Sequence, residues 1–241
     1  MCTVTYIPQK DNGGFVLTSN RDEKSFRPTI APRNYRVGEY NICFPKDVQA
    51  GGSWIAANDH GRLVCLLNGA YVAHQKKTHY EQSRGAVLIE LASSALTPSD
   101  FYSGKKLKDV EPFTMITLEM VENEITHFSE FIWDGNSKHF RRLSPDEPAI
   151  WSSVTLYSEE NRKLRKQWFN QFLQKINGSV SPENILKFHS GTHTGDNSIN
   201  VIMKREEDLK TVSITQVVPE NGKFRVNYVD LQNITNQEIE L

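Results

Sequence analysis

Cysteine is scarce in this chain and poorly spaced for either of its usual structural uses. The 241 residues hold three, Cys2, Cys43 and Cys65. An odd count with no CxxC pair and no Cys/His cluster at zinc spacing argues against a disulfide framework and a structural zinc. His189 and His193 stand four apart, but Gly191 and Gly195 interrupt the helix that would bring them together, so no metal is expected. A charge surplus is also missing. Lys and Arg number 28 against 29 Asp and Glu, a net charge of −1, which gives no basic footprint for nucleic acid. No apolar run approaches the ~18 residues of a membrane span. The start lacks the charged-then-apolar pattern of a signal peptide, so a cytoplasmic location is expected. Repeats, low-complexity tracts and linkers are absent too, which predicts one domain over residues 1–241, and 38% hydrophobic residues supply its core.

What is present is a series of β-rich runs punctuated by turns. Thr3–Ile7 and Phe15–Thr18 flank Asp11-Asn-Gly-Gly14, a hairpin signal. Further strands are predicted at Tyr40–Phe44, Ser53–Asn58, Arg62–Leu67, Phe113–Glu119, Ile125–Trp133, Ile199–Met203, Thr211–Val218 and Phe224–Val229. Turns at Asn58-Asp-His-Gly61 and Glu122-Asn123 point to antiparallel pairing. Helical periodicity appears over Ser83–Ala95 and Glu159–Ile176, with Leu164, Trp168, Phe169, Phe172 and Ile176 along one side of the second. Thr97-Pro and Ser181-Pro open two short helices. Tyr71–Gln82 reads as a long exposed loop. The expected class is α+β, antiparallel sheets with helices on their outer faces.

The start of the chain carries the candidate chemistry. If Asn12-Gly13 is a two-residue turn, partners sum to 25, and Cys2 faces Glu23, Thr3 faces Asp22 and Val4 faces Arg21. A looser loop shifts this by one or two residues, yet still brings the chain start beside Asn20–Glu23. Initiator methionine is removed before small residues such as cysteine. Removal would leave a thiol nucleophile and an α-amine base on one residue, with reference pKa values of ~8.5 and ~7.7–8.0. Arg21 would favour the thiolate and Asp22 would hold the amine. The plainer alternative makes Cys2 a small strand residue and Arg21/Asp22 a solvated ion pair.

MCTVTYIP followed by GFVLTSNRDE resembles the start of the NRDE, or transport-and-Golgi-organisation, family. Ala50-Gly-Gly-Ser-Trp-Ile-Ala-Ala-Asn58, Gly61-Arg-Leu-Val-Cys-Leu-Leu-Asn68 and Ser83-Arg-Gly85 extend the resemblance in order. That family in turn resembles the cysteine-type N-terminal nucleophile hydrolases and related acyltransferases. The resemblance implies a four-layer αββα sandwich. It also implies catalytic roles for Cys2, Arg21, Asp22 and Asn68, the last as an oxyanion donor or substrate-orienting amide. Substrate contacts are implied at Asn20, Gly52 and Trp54, against the alternative of a tight turn at Gly51-Gly52 and a core role for Trp54. The expected partner is a small-molecule amide or acyl substrate, with no cofactor. A non-catalytic carrier of haem or of a lipid or acyl-CoA ligand is the alternative function. Late in the chain, His189, Asn197 and Asn200 lie in a polar, glycine-rich stretch that suits either a site-lining loop or an exposed one.

Overall fold

The computed structural model describes residues 3–9, 13–178 and 180–241. Cys2 and Asn12 lie outside the described residues. Two antiparallel sheets stack face to face. The first contains β1 (Thr3–Gln9), β2 (Gly14–Lys24), β10 (Ala149–Ser152), β11 (Leu209–Glu220), β12 (Lys223–Asp230) and β13 (Thr235–Glu240), in the order β10-β1-β2-β11-β12-β13. The second runs in chain order through β3 (Thr29–Val37), β4 (Tyr40–Asp47), β5 (Ile55–Asn58), β6 (Arg62–Asn68), β7 (Phe113–Val121), β8 (Glu124–Trp133) and β9 (Lys138–Arg142). Helices α1 (Arg84–Ala92) and α2 (Pro98–Gly104) cover the second sheet, and α3 (Glu159–Ile176) and α4 (Pro182–Ser190) cover the first.

Strand alternation builds this layering. On β6, Leu63, Cys65 and Leu67 face the other sheet while Val64 and Leu66 face α1 and α2. On β1, Val4 and Tyr6 point between the sheets, whereas Ile7 packs under α3 and α4 with Phe169, Ile185 and Phe188. Central strands buried on both faces read as nearly continuous apolar runs. Each fully buried large side chain contributes roughly 1.5–3 kcal/mol.

Four strands escape the sequence reading: β3, β9, β10 and β13. They are the four sheet edges. β9 and β13 are almost wholly exposed, and β3 carries Pro32, so none shows the buried-face alternation that marks a central strand. In the other direction, the strand expected at Ile199–Met203 is a series of turns and bends. Its apolar residues Val201 and Met203 are buried within a coil, Val201 against α4 and β2 and Met203 hydrogen-bonded to Thr211 of β11. The helix expected over Ser83–Ala95 stops at Ala92, with Ser83 as N-cap accepting from the Ala86 amide at 3.1 Å.

The first hairpin does not pair in the register that an Asn12-Gly13 turn would set. Thr3 pairs with Asn20, Val4 with Ser19 and Gln9 with Gly14, so partners sum to 23 instead of 25. A shift of two preserves the faces, which keeps the inward and outward sets as read.

Candidate active site

Two residues named by the family resemblance turn out to hold the scaffold. The Asn58 carboxamide donates to the Ala92 carbonyl at 2.8 Å, at the C-terminus of α1. Arg62 donates to the carbonyls of Leu91, Ser94 and Leu96, each at 2.7 Å, and pairs with Glu119 at 2.6 Å. Together they satisfy the carbonyls that a helix end leaves open. With α1 locked this way, its N-terminus presses on the Gly51–Trp54 turn. A Cβ on Gly52 would lie 2.5 Å from the Gly85 carbonyl carbon, and one on Gly85 would lie 2.7 Å from the Ser53 oxygen. Glycine at both positions is therefore a requirement of close backbone approach. Gly51, at φ +71, makes the turn itself.

This contact forms one wall of a cavity of about 420 Å³ that includes Arg21, the residue after Asn20, which pairs with Thr3 at the start of β1. Arg21, Asp47, Gly52, Trp54, Asn68 and Arg84 line it. Arg21 is 3% exposed and lies over the Trp54 ring, 4.4 Å from its centroid. It donates to Thr29 and, at 2.9 Å, to Asp47 Oδ2. Arg27 Nε reaches the same oxygen at 2.8 Å. Burial pulls the Arg21 guanidinium down from its ordinary pKa, while Asp47 and Glu23 oppose that shift. Burial alone would raise Asp47, but the Ala50 amide and the guanidiniums of Arg27 and Arg21 hold it below the usual carboxylate range. On the far wall, Arg84 pairs with Glu111 at 3.0 Å, and His74 Nε2 meets the other oxygen of Glu111 at 3.0 Å.

Asn68 closes β6 just before Gly69, whose φ of +87 suits the turn. Its backbone carbonyl accepts from Ser153 Oγ at 2.8 Å. Its carboxamide has no protein hydrogen bond among the described residues and lines the cavity. Asn68 also lines a neighbouring space of about 550 Å³ with an apolar floor of Leu67, Ile132, Ile150 and Trp151. Asn68 thus borders both cavities. Trp54 serves both of its expected alternatives, since it belongs to the core between the sheets and lines the cleft.

Arg21 and Asp22 do not act as one charged pair. They are successive strand residues, so their side chains leave on opposite faces. Arg21 faces the cleft, whereas Asp22 faces α3 and accepts from Tyr157 Oη and Thr211 Oγ1, both at 2.6 Å. A β-bulge between Thr211 and Ser213 of β11 lies opposite this step. Asn20 also lies outside the cavity. It is fully buried, donates to the carbonyls of His189 and Val201 at 3.0 and 2.9 Å, and meets His189 Nδ1 through Oδ1 at 2.7 Å. It thus ties β2 to α4. His189 is buried too, its Nε2 2.7 Å from Thr5 Oγ1, and burial followed by the charge of Arg165 pushes its pKa down to about 3. Asn200 is also buried, its carboxamide oxygen accepting from the amides of His193 and Thr194, which shapes the loop. Asn197 is exposed in the same loop and accepts from Lys204 N at 2.9 Å through its backbone carbonyl.

Sequence reasoning missed Asp47, Arg84, Glu111 and Arg165. Arg84 was within reach, inside the Ser83-Arg-Gly85 motif. Arg165 was hidden because the α3 stripe was read as Leu164, Trp168 and Phe169. Leu164 is 37% exposed, and Arg165 is the fully buried residue.

No group of three or more His, Cys, Asp or Glu among the described residues is arranged to hold a metal. No described helix is long and apolar enough to cross a membrane. No curated protein matches the chain at the sequence level. Solved structures do match its fold. An N-acylethanolamine-hydrolyzing acid amidase ortholog from Caenorhabditis elegans superposes with TM-score 0.63 at 13% identity, covering 89% of this chain and 92% of that one. A variant of conjugated bile acid hydrolase from Clostridium perfringens gives 0.59 at 12% identity, covering 99% and 92%. Penicillin V acylase from Agrobacterium tumefaciens gives 0.56 at 10% identity, covering 100% and 86%. The fold is thus that of the N-terminal nucleophile hydrolases. At the sequence level the Transport and Golgi organisation 2 family profile matches residues 1–226, and the chain belongs to that family.

Proposed function

We propose that this chain cleaves a non-peptide C–N amide bond of a small molecule, or transfers the acyl group, with Cys2 as nucleophile once Met1 is removed. The observation that carries the reading is the cavity lined by Arg21, Trp54 and an Asn68 carboxamide without a hydrogen bond among the described residues, next to the β2 residue that pairs with the start of β1. The amide-hydrolysing fold neighbours support it.

In this reading the thiol of Cys2 attacks the substrate carbonyl and its proton passes to the α-amine of the same residue. The Asn68 carboxamide donates to the oxyanion as the tetrahedral intermediate forms. Collapse breaks the C–N bond, and the proton held on the α-amine goes to the leaving nitrogen. A thioester remains on Cys2. Water, or an acceptor amine or alcohol, then attacks that thioester, returning the proton to sulfur. Arg21, neutralised by Asp47, serves to shape and polarise the cleft wall more than to supply net charge.

Mass spectrometry of folded endogenous protein tests the first requirement, and intact Met1 throughout the sample refutes the reading. On processed protein, a thiol-reactive acyl probe is expected to label Cys2 and spare Cys43 and Cys65. Burial pushes both of those thiols up to about 12. Asn68→Ala is expected to lower turnover by ~10²–10³ while labelling at Cys2 persists.

A further inference from the structure

Among the described residues, one shielded guanidinium stands apart. Every other arginine that is not exposed donates to a carboxylate, a hydroxyl or a carbonyl, as Arg84 does to Glu111 and Arg205 to the Leu156 carbonyl. Arg162, half-buried on α3, has a buried Nε without a hydrogen-bond partner, and its guanidinium forms no ion pair among the described residues. Its closest claim on an acid is Glu159, but Lys163 binds that carboxylate at 2.6 Å and Arg162 adds only a smaller pull. Lys166, one helical turn beyond Arg162, is likewise without an ion pair among the described residues. A shielded donor left without an acceptor is costly, and such an arrangement persists where something else supplies the acceptor.

Both cations line the 550 Å³ space beside the cleft. Its size is that of a small-molecule site, and its floor of Leu67, Ile132, Ile150 and Trp151 is apolar. The acids that line it are already engaged. Glu130 accepts from Arg141 at 2.8 Å and from the Trp151 indole at 2.7 Å, and Glu159 is held by Lys163. The hydroxyls of Thr114 and Ser153 are spent on the carbonyls of Gly69 and Asn68. What the walls still offer a ligand is therefore an apolar floor and two unpaired cations. We propose that this space binds a small organic anion: Arg162 and Lys166 take its carboxylate, sulfonate or phosphate, and the floor takes its hydrocarbon body. A planar guanidinium suits such an oxyanion, whereas Lys166 contributes a point charge. Because Asn68 borders both cavities, the bound anion would be one arm of the substrate, an amide whose apolar side carries an anionic group. That role rests on the amide-hydrolase reading; the binding itself does not.

Calorimetric titration of the full chain with probes that cannot be hydrolysed tests the site. Decanoate carries both features, decanol only the chain and acetate only the charge. Decanoate is expected to bind at one site about tenfold tighter than decanol, and acetate not to saturate over the same range. Arg162→Gln should weaken decanoate about tenfold and Lys166→Gln about threefold, each leaving decanol within about twofold. Arg162→Lys should recover part of the loss. Arg142→Gln, an equal change of net charge at an exposed position on β9, should have no effect. Equal affinity for decanoate and decanol overturns the inference, as does an Arg162→Gln loss shared by both probes or matched by Arg142→Gln. Absence of saturable decanoate binding overturns it too, including where phosphatidylglycerol vesicles still bind, which would assign the cations to a lipid surface. Charge-dependent decanoate binding by protein that retains Met1 would sink the hydrolase reading alone. Active, processed protein that does not distinguish decanoate from decanol would sink this inference alone.

Discussion

Removing the Asp47 carboxylate should expose how strongly the cleft depends on one buried charge. Asp47 accepts from Arg21 at 2.9 Å, from Arg27 at 2.8 Å, and from the Gln49 and Ala50 amides at 3.0 Å each. Arg21 is nearly inaccessible, so Asp47→Ala leaves a buried guanidinium without its counter-charge. Breaking such a pair costs about 3–5 kcal/mol. That is a large share of the roughly 5–15 kcal/mol that holds a typical domain together. Asp47→Asn keeps the shape and one acceptor oxygen, so its cost should be smaller, about 1.5–3 kcal/mol. Adding Arg21→Met to Asp47→Ala removes the stranded cation, and the double variant should be more stable than Asp47→Ala alone. Urea unfolding at neutral pH measures all three. The pH dependence has a defined sign. Asp47 is held below its ordinary pKa when folded, so its stabilisation is complete above the unfolded value near ~3.9 and disappears as pH falls through the folded value. The gap between wild type and Asp47→Asn should therefore narrow under strong acid. A loss under about 1 kcal/mol for Asp47→Ala, or strict additivity with Arg21→Met, would refute the reasoning.

Two further substitutions probe the frame around the site. His189 has its folded pKa pushed down to about 3 against ~6.5 unfolded, so below pH ~6.5 the unfolded chain takes up a proton that the folded chain refuses. Stability should fall by about 1.4 kcal/mol per pH unit across that window from this group, and His189→Asn should flatten the profile by that slope in urea titrations. Equal slopes in the two proteins would contradict the buried neutral imidazole. Gly85→Ala places a methyl 2.7 Å from the Ser53 oxygen and 2.9 Å from its nitrogen, both backbone atoms that cannot swing away. The expected cost is about 1–3 kcal/mol in urea unfolding, and a neutral result would mean that α1 can retreat from the Gly52 turn.

Much of the layering was legible in the chain itself. Central strands, the Glu122-Asn123 turn and the Glu159–Ile176 helix carry periodicity and caps that local physics enforces, and both turn residues adopt the left-handed backbone of a tight hairpin turn. The antiparallel α+β sandwich follows from those elements. The proximity of the chain start to Asn20–Glu23 also follows, because a hairpin of any nearby register produces it. The four edge strands were not legible, since a strand exposed on its outer side has no need of a buried face. Nor were the partners of the charged cluster. Whether Arg21 meets Asp22 or Asp47 depends on strand alternation and on a strand of the other sheet, 26 residues away in sequence. Likewise, the rotation of α3 about its axis, about 100° per residue, decides that Arg165 is buried and Leu164 exposed. Local sequence determines which elements form and which of their faces are apolar. Which charges pair at the cleft is settled only when the two sheets meet, because a pair is defined by distances that no single segment contains.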